Sequence, residues 1–144
     1  MTRIDFYSLK DGSGGDRFLL TCRLAERIHL GERLRIYIHV PDRAQAQHLD
    51  RLLWTYKEQS FLPHGLVGQT EEDLTPILIG HDTEPGGEDQ VLINLAPEVP
   101  TFFSRFERLC EPVDLEPAVR DAGRERFRYY RDRGYELHHH KITL

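Results

Sequence analysis

The chain has 144 residues and a mass of 16.9 kDa, the size of a single domain with a substantial hydrophobic core. No apolar run approaches the ~20 residues of a membrane-spanning helix, and the N-terminus lacks a secretory signal, so we expect a soluble, cytoplasmic protein that does not bind membranes. The net charge of −5 argues against a protein that wraps nucleic acid with its whole surface, because such binding depends on phosphate neutralisation by lysine and arginine.

The first quarter of the chain carries a strand pattern followed by a helix pattern. Strand formers from Arg3 to Tyr7 precede a glycine-rich turn at residues 11–16. Apolar positions between Phe18 and Ile28 recur at helical spacing and predict the first helix. Asp16 can cap its start, and Gly31 stands where a helix C-cap glycine belongs.

A second strand and helix pattern follows directly. Leu34 to Val40 alternates apolar and polar residues, which predicts a strand. Asp42 can cap a helix that runs from Arg43 to about Trp54, and residues 61–65 then form an irregular stretch.

Two compact apolar runs, Ile77–Ile79 and Val91–Leu95, are separated by a polar, glycine-rich segment, 80–90, that we interpret as a loop. Short continuous apolar runs between helices are typical of strands buried on both faces. The sequence therefore predicts one α/β domain over residues 1–144, with a mainly parallel central sheet flanked by helices.

The last third of the chain begins with a further helix pattern. Thr101 can cap a helix that holds Phe102, Phe103, Phe106 and Leu109. A short strand is expected near residues 110–113, and Pro117 can open the last helix at its first turn.

The glycine-rich turn invites comparison with phosphate-binding loops. Gly12-Ser13-Gly14-Gly15 matches neither the dinucleotide pattern nor a P-loop, and Asp16 would repel phosphate where a P-loop places lysine. We interpret the segment as a tight turn. The alternative is a degenerate nucleotide-dependent enzyme that still holds phosphate here.

Other signals of catalysis or of a cofactor are weak. His138, His139 and His140 are consecutive, and three consecutive side chains rarely converge on one ion, so we expect a solvated tail and no metal. Cys22 and Cys110 lie among apolar residues, as free thiols in a reducing compartment do. We expect no catalytic residue and no cofactor.

The last helix carries a basic face. At about 100° per residue, four arginines and one phenylalanine share one arc, namely Arg120, Arg124, Phe127, Arg128 and Arg131. Guanidinium groups around an aromatic ring suit a short peptide that ends in a carboxylate beside an apolar side chain. Single-stranded nucleic acid would suit them as well, and a solvated charged face is the alternative to both.

A second candidate surface lies where the second predicted helix ends. The segment from Trp54 to His64 leaves that helix and carries the large apolar side chains Phe61 and Leu62 beside Pro63. A cluster of this kind belongs either to the core or to a protein interface.

Three segments together carry a resemblance to a known family. They are Asp5-Phe6-Tyr7, the run from Leu49 to Trp54 that leads to Ser60-Phe61-Leu62-Pro63-His64, and Arg124 to Arg131 ending at Gly134. In these segments the chain resembles the chi subunits of bacterial DNA polymerase III. The resemblance implies a non-catalytic accessory subunit of the clamp loader, with a Rossmann-like fold that lacks a phosphate-binding loop.

The resemblance also implies two partners and assigns residues to each. One surface of a chi subunit binds the psi subunit of the clamp loader, and this role falls to Trp54, Phe61, Leu62, Pro63 and His64. Another binds the acidic C-terminal tail of single-stranded DNA-binding protein, and this role falls to the basic face of the last helix. DNA is then contacted only indirectly. The chain departs from the family where tyrosine is common, at Phe127, and where lysine is common, at Arg120 and Arg128.

Overall fold

Seven strands and three helices alternate along the residues that the computed structural model describes, which are 1–59 and 61–144. The strands are β1 (Arg3–Leu9), β2 (Ile36–His39), β3 (His64–Leu66), β4 (Ile77–Gly80), β5 (Val91–Asn94), β6 (Arg108–Val113) and β7 (Glu136–Ile142). The helices are α1 (Arg17–Glu32), α2 (Arg43–Thr55) and α3 (Pro117–Asp132). Ser60, within the segment that carries the family resemblance, lies outside the described residues.

All of these strands form one parallel sheet in the order β3-β4-β2-β5-β6-β1-β7. The predicted α/β fold with a parallel central sheet is therefore confirmed. No helix in residues 1–59 and 61–144 combines the length and the apolar character needed to cross a membrane.

Helices cover both faces of the sheet. Alternation along β2 sends Ile36 and Ile38 to the side of α1 and α2, whereas Tyr37 between them points to the side of α3. On that second side Tyr130 of α3 is fully buried, as its position outside the basic arc predicts. The outer surface of α3 is thereby left to solvent.

The predicted starts of α1, α2 and α3 are confirmed, and the predicted end of α1 is wrong. The Asp16 carboxylate accepts hydrogen bonds from the N–H groups of Phe18 and Leu19 at 3.0 and 2.9 Å. Gly31 does not cap α1 but lies inside it, and the left-handed residue is Arg33, with φ 59°, whose N–H donates to the His29 carbonyl. An exposed glycine near the end of a helix imitates the C-cap signal without providing the cap.

The helix predicted from Thr101 is wrong. Only one short 3₁₀ turn, Phe103–Arg105, forms there, and Leu109 belongs to β6. Phe102, Phe103 and Phe106 are all buried, because an irregular segment lays their rings on the α3 side of the sheet. Helical spacing of apolar residues therefore arose here without a helix.

The expectation of a solvated histidine tail is also wrong. His138, His139 and His140 lie in β7, which pairs in parallel with β1 and closes one edge of the sheet. The alternation of exposed and half-buried residues along this strand is what an edge strand shows. A second strand that the sequence missed is β3, within the segment expected to be irregular.

Candidate functional site

A buried ion pair holds α3 on the sheet, on the side of the helix opposite to the exposed basic face. Arg126 donates from Nε to Glu111 Oε1 at 3.0 Å, and Tyr130 donates its hydroxyl to Glu111 Oε2 at 2.7 Å. The Asn94 amide donates to the same carboxylate, and Arg126 also reaches the Pro97 carbonyl at 2.8 Å. Burial raises the pKa of Glu111, and the charge of Arg126 opposes that effect. This network fixes the rotation of α3 and so decides which side chains face outward.

The predicted basic face does point outward on α3. The side chains of Arg124, Arg128 and Arg131 are more than half exposed, and that of Arg120 is 45% exposed. Phe127 is only half-buried and meets the ring of Phe6 on β1 edge to face, with centroids 5.2 Å apart. The aromatic residue thus lies where the helix meets the sheet.

Three of these five residues line one cleft of about 290 Å³ between α3, β1 and β7. They are Arg120, Arg124 and Phe127, whereas Arg128 and Arg131 lie outside it. We call this the α3 cleft, and its other lining residues are Phe6, Ser8, Leu9, Val113, Asp114, Gly123, His139 and Lys141. The structure therefore groups only part of the predicted set.

The floor of the α3 cleft depends on a glycine in the helix. A Cβ atom built on Gly123 would lie 3.2 Å from Val113 Cγ2 of β6, tighter than ordinary contact. The absence of a side chain lets α3 approach the sheet, and Val113 and Phe6, which are 6% and 4% exposed, form part of the cleft lining. The cleft therefore combines an apolar floor with a cationic rim.

The rim arginines pair with carboxylates that a ligand could replace. Arg124 Nη1 lies 3.0 Å from Asp121, one turn away on the same helix, and Arg120 lies 3.9 Å from Asp11. These carboxylates are 75% and 93% exposed. Exposed ion pairs contribute about 0–1 kcal/mol, so a partner's carboxylate can take their place at little cost.

Two cleft residues, His139 and Lys141, were missed because the histidine segment was expected to be a tail. Parallel pairing of β7 with β1 brings them to the α3 side of the sheet. His139 Nε2 is 2.9 Å from Ser8 Oγ. Burial lowers the pKa of His139, and the charges of Lys141 and His140 lower it further. The imidazole is therefore uncharged at neutral pH.

The second candidate surface divides into exposed and buried residues. Trp54 is 56% exposed, Phe61 is 81% exposed and Pro63 is exposed as well. Leu62 and His64, in contrast, are buried. We call Trp54, Phe61 and Pro63 the Trp54 patch. Of the five predicted interface residues, only these three present their side chains to a partner.

His64 supports the patch from beneath. Its ring lies against that of Trp54, with centroids 4.5 Å apart. Nδ1 is 2.6 Å from the Leu62 carbonyl and Nε2 is 3.1 Å from the Asp50 carbonyl, so the ring ties the strand to α2. Trp54 itself is not a core residue, because more than half of it is exposed.

The N–H groups that follow the glycine-rich turn, at the start of α1, already donate to carboxylates. At the start of α1, the N–H of Arg17 donates to Asp114, and those of Phe18 and Leu19 donate to Asp16. Leu144 lies over the turn and donates its N–H to Ser13 Oγ at 2.9 Å. These contacts occupy the groups that a phosphate would need.

The two cysteines are buried, as the sequence predicts. Burial raises the pKa of both thiols, Cys22 and Cys110, to about 12. The thiolate is the nucleophilic form, and at these values it is scarce at neutral pH.

Comparison with known proteins identifies relatives along almost the whole chain. Residues 1–138 match the family described as DNA polymerase III chi subunit, HolC. The chain is 39% identical over 142 residues to "DNA polymerase III subunit chi" of Pseudomonas aeruginosa, an alignment that covers 99% of this chain and 98% of the relative. It is 31% identical over 120 residues to the Escherichia coli protein of the same name, covering 82% and 80% of the two chains.

Two solved structures share the fold at low sequence identity. The crystal structure of T4 UvsW superposes with a TM-score of 0.67 at 8% identity, over 99% of this chain and 42% of that chain. Domain 2 of the DEAD-box helicase Mss116p, solved bound to an RNA duplex, gives a TM-score of 0.61 at 10% identity, over 98% and 64% of the two chains. These likenesses show a RecA-like, Rossmann-related α/β fold.

Proposed function

Because the chain belongs to the family of DNA polymerase III chi subunits, which are replication accessory subunits, we propose that it is a non-catalytic bridge within the replication machinery. The α3 cleft binds the acidic C-terminal tail of single-stranded DNA-binding protein. The Trp54 patch binds the psi subunit of the clamp loader. In this role the chain is connected to DNA through its partners.

The observation that supports tail binding is the pairing of an apolar floor and a guanidinium rim in one cleft. Phe6 and Val113 offer contact to the apolar side chain of a terminal residue. Arg120 and Arg124 offer planar donor forks to its carboxylate, a geometry that favours bidentate hydrogen bonds. The combination suits a peptide that ends in phenylalanine behind acidic residues.

The one carboxylate among the residues that line this cleft does not oppose an anionic ligand strongly. Asp114 accepts hydrogen bonds from the backbone N–H of Arg17 at 2.9 Å and from its guanidinium at 3.1 Å. It is buried beside that cation, which offsets its charge. The cations that line the cleft are Arg120, Arg124 and Lys141, and the exposed carboxylates that pair with the two arginines, Asp11 and Asp121, lie outside its lining.

Exposed aromatic residues support the psi assignment. Trp54 and Phe61 are large apolar side chains that folding leaves exposed, although burial would stabilise each of them. Protein interfaces concentrate their binding energy in central aromatic residues. Trp54 is the expected anchor, since His64 holds its ring in place in the isolated chain.

A bridging experiment tests both assignments together. Immobilised psi should retain single-stranded DNA-binding protein only when this chain is added. Arg124→Ala should still be captured by psi but should no longer retain the second protein, and Trp54→Ala should not be captured. Arg131→Ala is the control. It also removes an arginine side chain from α3, but Arg131 lies outside the cleft, so this variant should behave as the parent does.

The bridging proposal is wrong if psi captures no parent chain, or if single-stranded DNA-binding protein is retained equally by the parent and by Arg124→Ala.

A further inference from the structure

A second large cleft, of about 510 Å³, lies between α1 and strands β1, β6 and β7. Its polar lining residues are Arg3, Tyr7, Arg27, Glu32, Arg108 and His140. It opens on the α1 side of the sheet, because alternation along β1 sends Tyr7 to that side and Phe6 to the other. Neither the α3 cleft nor the Trp54 patch shares a residue with it.

A buried carboxylate organises the cations of this cleft. The side chain of Asp5 is fully buried and accepts hydrogen bonds from Arg3 Nε at 3.2 Å, from Arg108 Nε at 3.1 Å and from His140 Nε2 at 2.9 Å. Burial disfavours its charge, but His140, Arg3 and Arg108 together lower the pKa of Asp5. The carboxylate therefore stays ionised and holds two guanidinium groups in place.

Donors remain unused after these contacts. Arg108 also donates to Glu32 at 3.1 Å and to the oxygen of the Tyr7 hydroxyl. Because Tyr7 accepts in this contact, its own O–H can still donate to a ligand. Burial raises the pKa of Tyr7 to about 12, so the phenol keeps that hydrogen. Arg27 is exposed and makes no ion pair with any residue in 1–59 or 61–144. The cleft therefore brings together three arginines and two carboxylates, Asp5 and Glu32. The polar groups that remain free to bind a ligand are mainly hydrogen-bond donors.

Two features of the cleft oppose an anion, the Glu32 carboxylate, which is paired with Arg108, and the C-terminal end of α1. Gly31 lines the cleft, and the final carbonyl groups of a helix carry a partial negative charge of about half an elementary charge. Arg33, at the C-cap, donates its N–H to one of those carbonyls. The unpaired guanidinium of Arg27 carries a full charge and outweighs the rest, so the cleft as a whole attracts anions.

An aromatic surface stands beside these donors. The rings of Tyr7 and His140 are stacked, with centroids 4.6 Å apart and planes 16° from parallel. The His140 side chain remains 38% exposed, while Leu24 and Ile28 of α1 supply an apolar wall. Planar bases stack favourably on such surfaces, whatever their sequence.

We propose that this cleft binds a nucleotide, with the phosphate on Arg27 and Arg108 and the base against the Tyr7–His140 pair. The volume lies within the range of about 300–1,000 Å³ that small-molecule sites occupy. Two kinds of ligand combine a phosphate with a base in this way, a free mononucleotide and a nucleotide unit of single-stranded nucleic acid. The site goes beyond the proposed function, in which no nucleotide contacts the chain.

Fluorescence anisotropy with a short, labelled, 5′-phosphorylated oligothymidylate tests the site, with thymidine monophosphate as competitor. Arg27→Glu should weaken binding by about tenfold or more, because it replaces a phosphate donor by a repelling carboxylate. Arg43→Glu is the matched control, since it makes the same change of net charge at an exposed arginine of α2 outside the cleft. Its affinity should stay within about twofold of the parent. Neither Arg27 nor Arg43 forms an ion pair with a residue in 1–59 or 61–144, and both are exposed, so both variants should melt as the parent does.

The competitor separates the two sources. Displacement of the oligonucleotide by thymidine monophosphate, with the same loss in Arg27→Glu, indicates a free nucleotide. Binding of the oligonucleotide alone, again lost in Arg27→Glu, indicates a nucleic acid strand. In both cases the imidazole resonances of His140 should shift on titration, whereas those of the distant His64 should not.

Three results would overturn the site. One is no binding of either probe at low salt. Another is an equal loss in Arg27→Glu and Arg43→Glu, which would show only non-specific attraction. The third is a loss in Arg124→Glu with none in Arg27→Glu, which would move the ligand to the α3 cleft.

Discussion

Arg126 on α3 and Glu111 on β6 form an ion pair, 3.0 Å between Nε and Oε1, in which neither side chain is more than 5% exposed. Arg126 belongs in sequence to a helix with arginines at 120, 124, 128 and 131, yet it alone turns inward. A helical wheel places Arg126 away from the basic arc. The buried carboxylate of Glu111 on β6 explains why a charged side chain lies on this inner side of the helix. Arg126 therefore holds α3 on the sheet, whereas Arg124, Arg128 and Arg131 remain exposed on its outer face.

Removal of one member of that pair should destabilise the fold. Arg126→Ala leaves Glu111 buried without its cation, a change that typically costs about 3–5 kcal/mol. Urea unfolding should show this loss, whereas Arg128→Ala, which removes an exposed arginine of the same helix, should cost less than about 1 kcal/mol. Equal effects in the two variants would contradict the anchoring role.

The α3 cleft should lose affinity for the tail peptide when its rim is truncated. Arg124→Ala removes a charge-assisted hydrogen bond to the terminal carboxylate and should cost about 1.5–3 kcal/mol, or about ten- to a hundredfold in Kd. Titration calorimetry with a peptide ending in acidic residues and phenylalanine measures the change. Arg131→Ala, outside the cleft, serves as the control. Unchanged affinity in Arg124→Ala would refute the assignment of the cleft.

The Trp54 patch should show opposite effects on binding and on stability. Trp54→Ala should abolish capture by psi while the melting temperature of the isolated chain changes little, since the ring is 56% exposed. Leu62→Ala, beneath the patch, should instead cost about 2–5 kcal/mol of folding free energy, because Leu62 is 2% exposed. A Trp54→Ala variant that melts far below the parent would indicate a core role.

Tail binding should strengthen as the pH falls from neutrality. The pKa of His139 lies below its ordinary value of 6.5, so the ring is neutral at pH 7 and gains a charge only in more acidic solution. Because a cation at this position attracts the carboxylates of the tail, affinity should rise until those carboxylates themselves protonate near pH ~4. His139→Gln should remove this rise in calorimetric titrations. An identical pH profile in the variant would show that His139 does not face the ligand.

The same pKa shift has the opposite consequence for the unliganded chain. The unfolded state binds the His139 proton more tightly than the folded state does, so folding stability should fall as the pH drops through about 6.5. Urea unfolding at a series of pH values should show a smaller decrease in His139→Gln than in the parent.

Much of the fold is predictable because the residues that determine an element lie close together in the sequence. Asp16 and Asp42 precede helices and cap them through their own side chains, so the signal and the cause lie in adjacent residues. The runs Ile77–Ile79 and Val91–Leu95 carry the apolar character that a strand covered on both faces requires, and both contain strands. The basic face of α3 was readable for the same reason, because helical spacing alone brings its arginines together.

The errors arose where long-range contacts decided the outcome. The histidines of β7 form a strand because β1 lies beside them, more than 130 residues away in sequence. His139 and Lys141 could therefore not be assigned to the α3 cleft from spacing. The phenylalanines after Thr101 gave a helix signal that tertiary packing overrode. Burial of His64 depends likewise on the Asp50 carbonyl of α2, which only the fold brings near its Nε2. The Gly31 error is local in contrast, because α1 continues to Glu32 and Arg33 takes the C-cap position.

The two proposed partner surfaces should act independently. The α3 cleft lies between α3, β1 and β7 on one side of the sheet, and Trp54 lies at the end of α2, which packs on the other side. The surfaces share no residue and are separated by the parallel sheet, so binding at one should couple only weakly to binding at the other. Affinity for the tail peptide, measured with and without saturating psi, should therefore agree within about twofold. A tenfold difference, about 1.4 kcal/mol of coupling free energy, would instead identify a switch in which psi controls access to the α3 cleft.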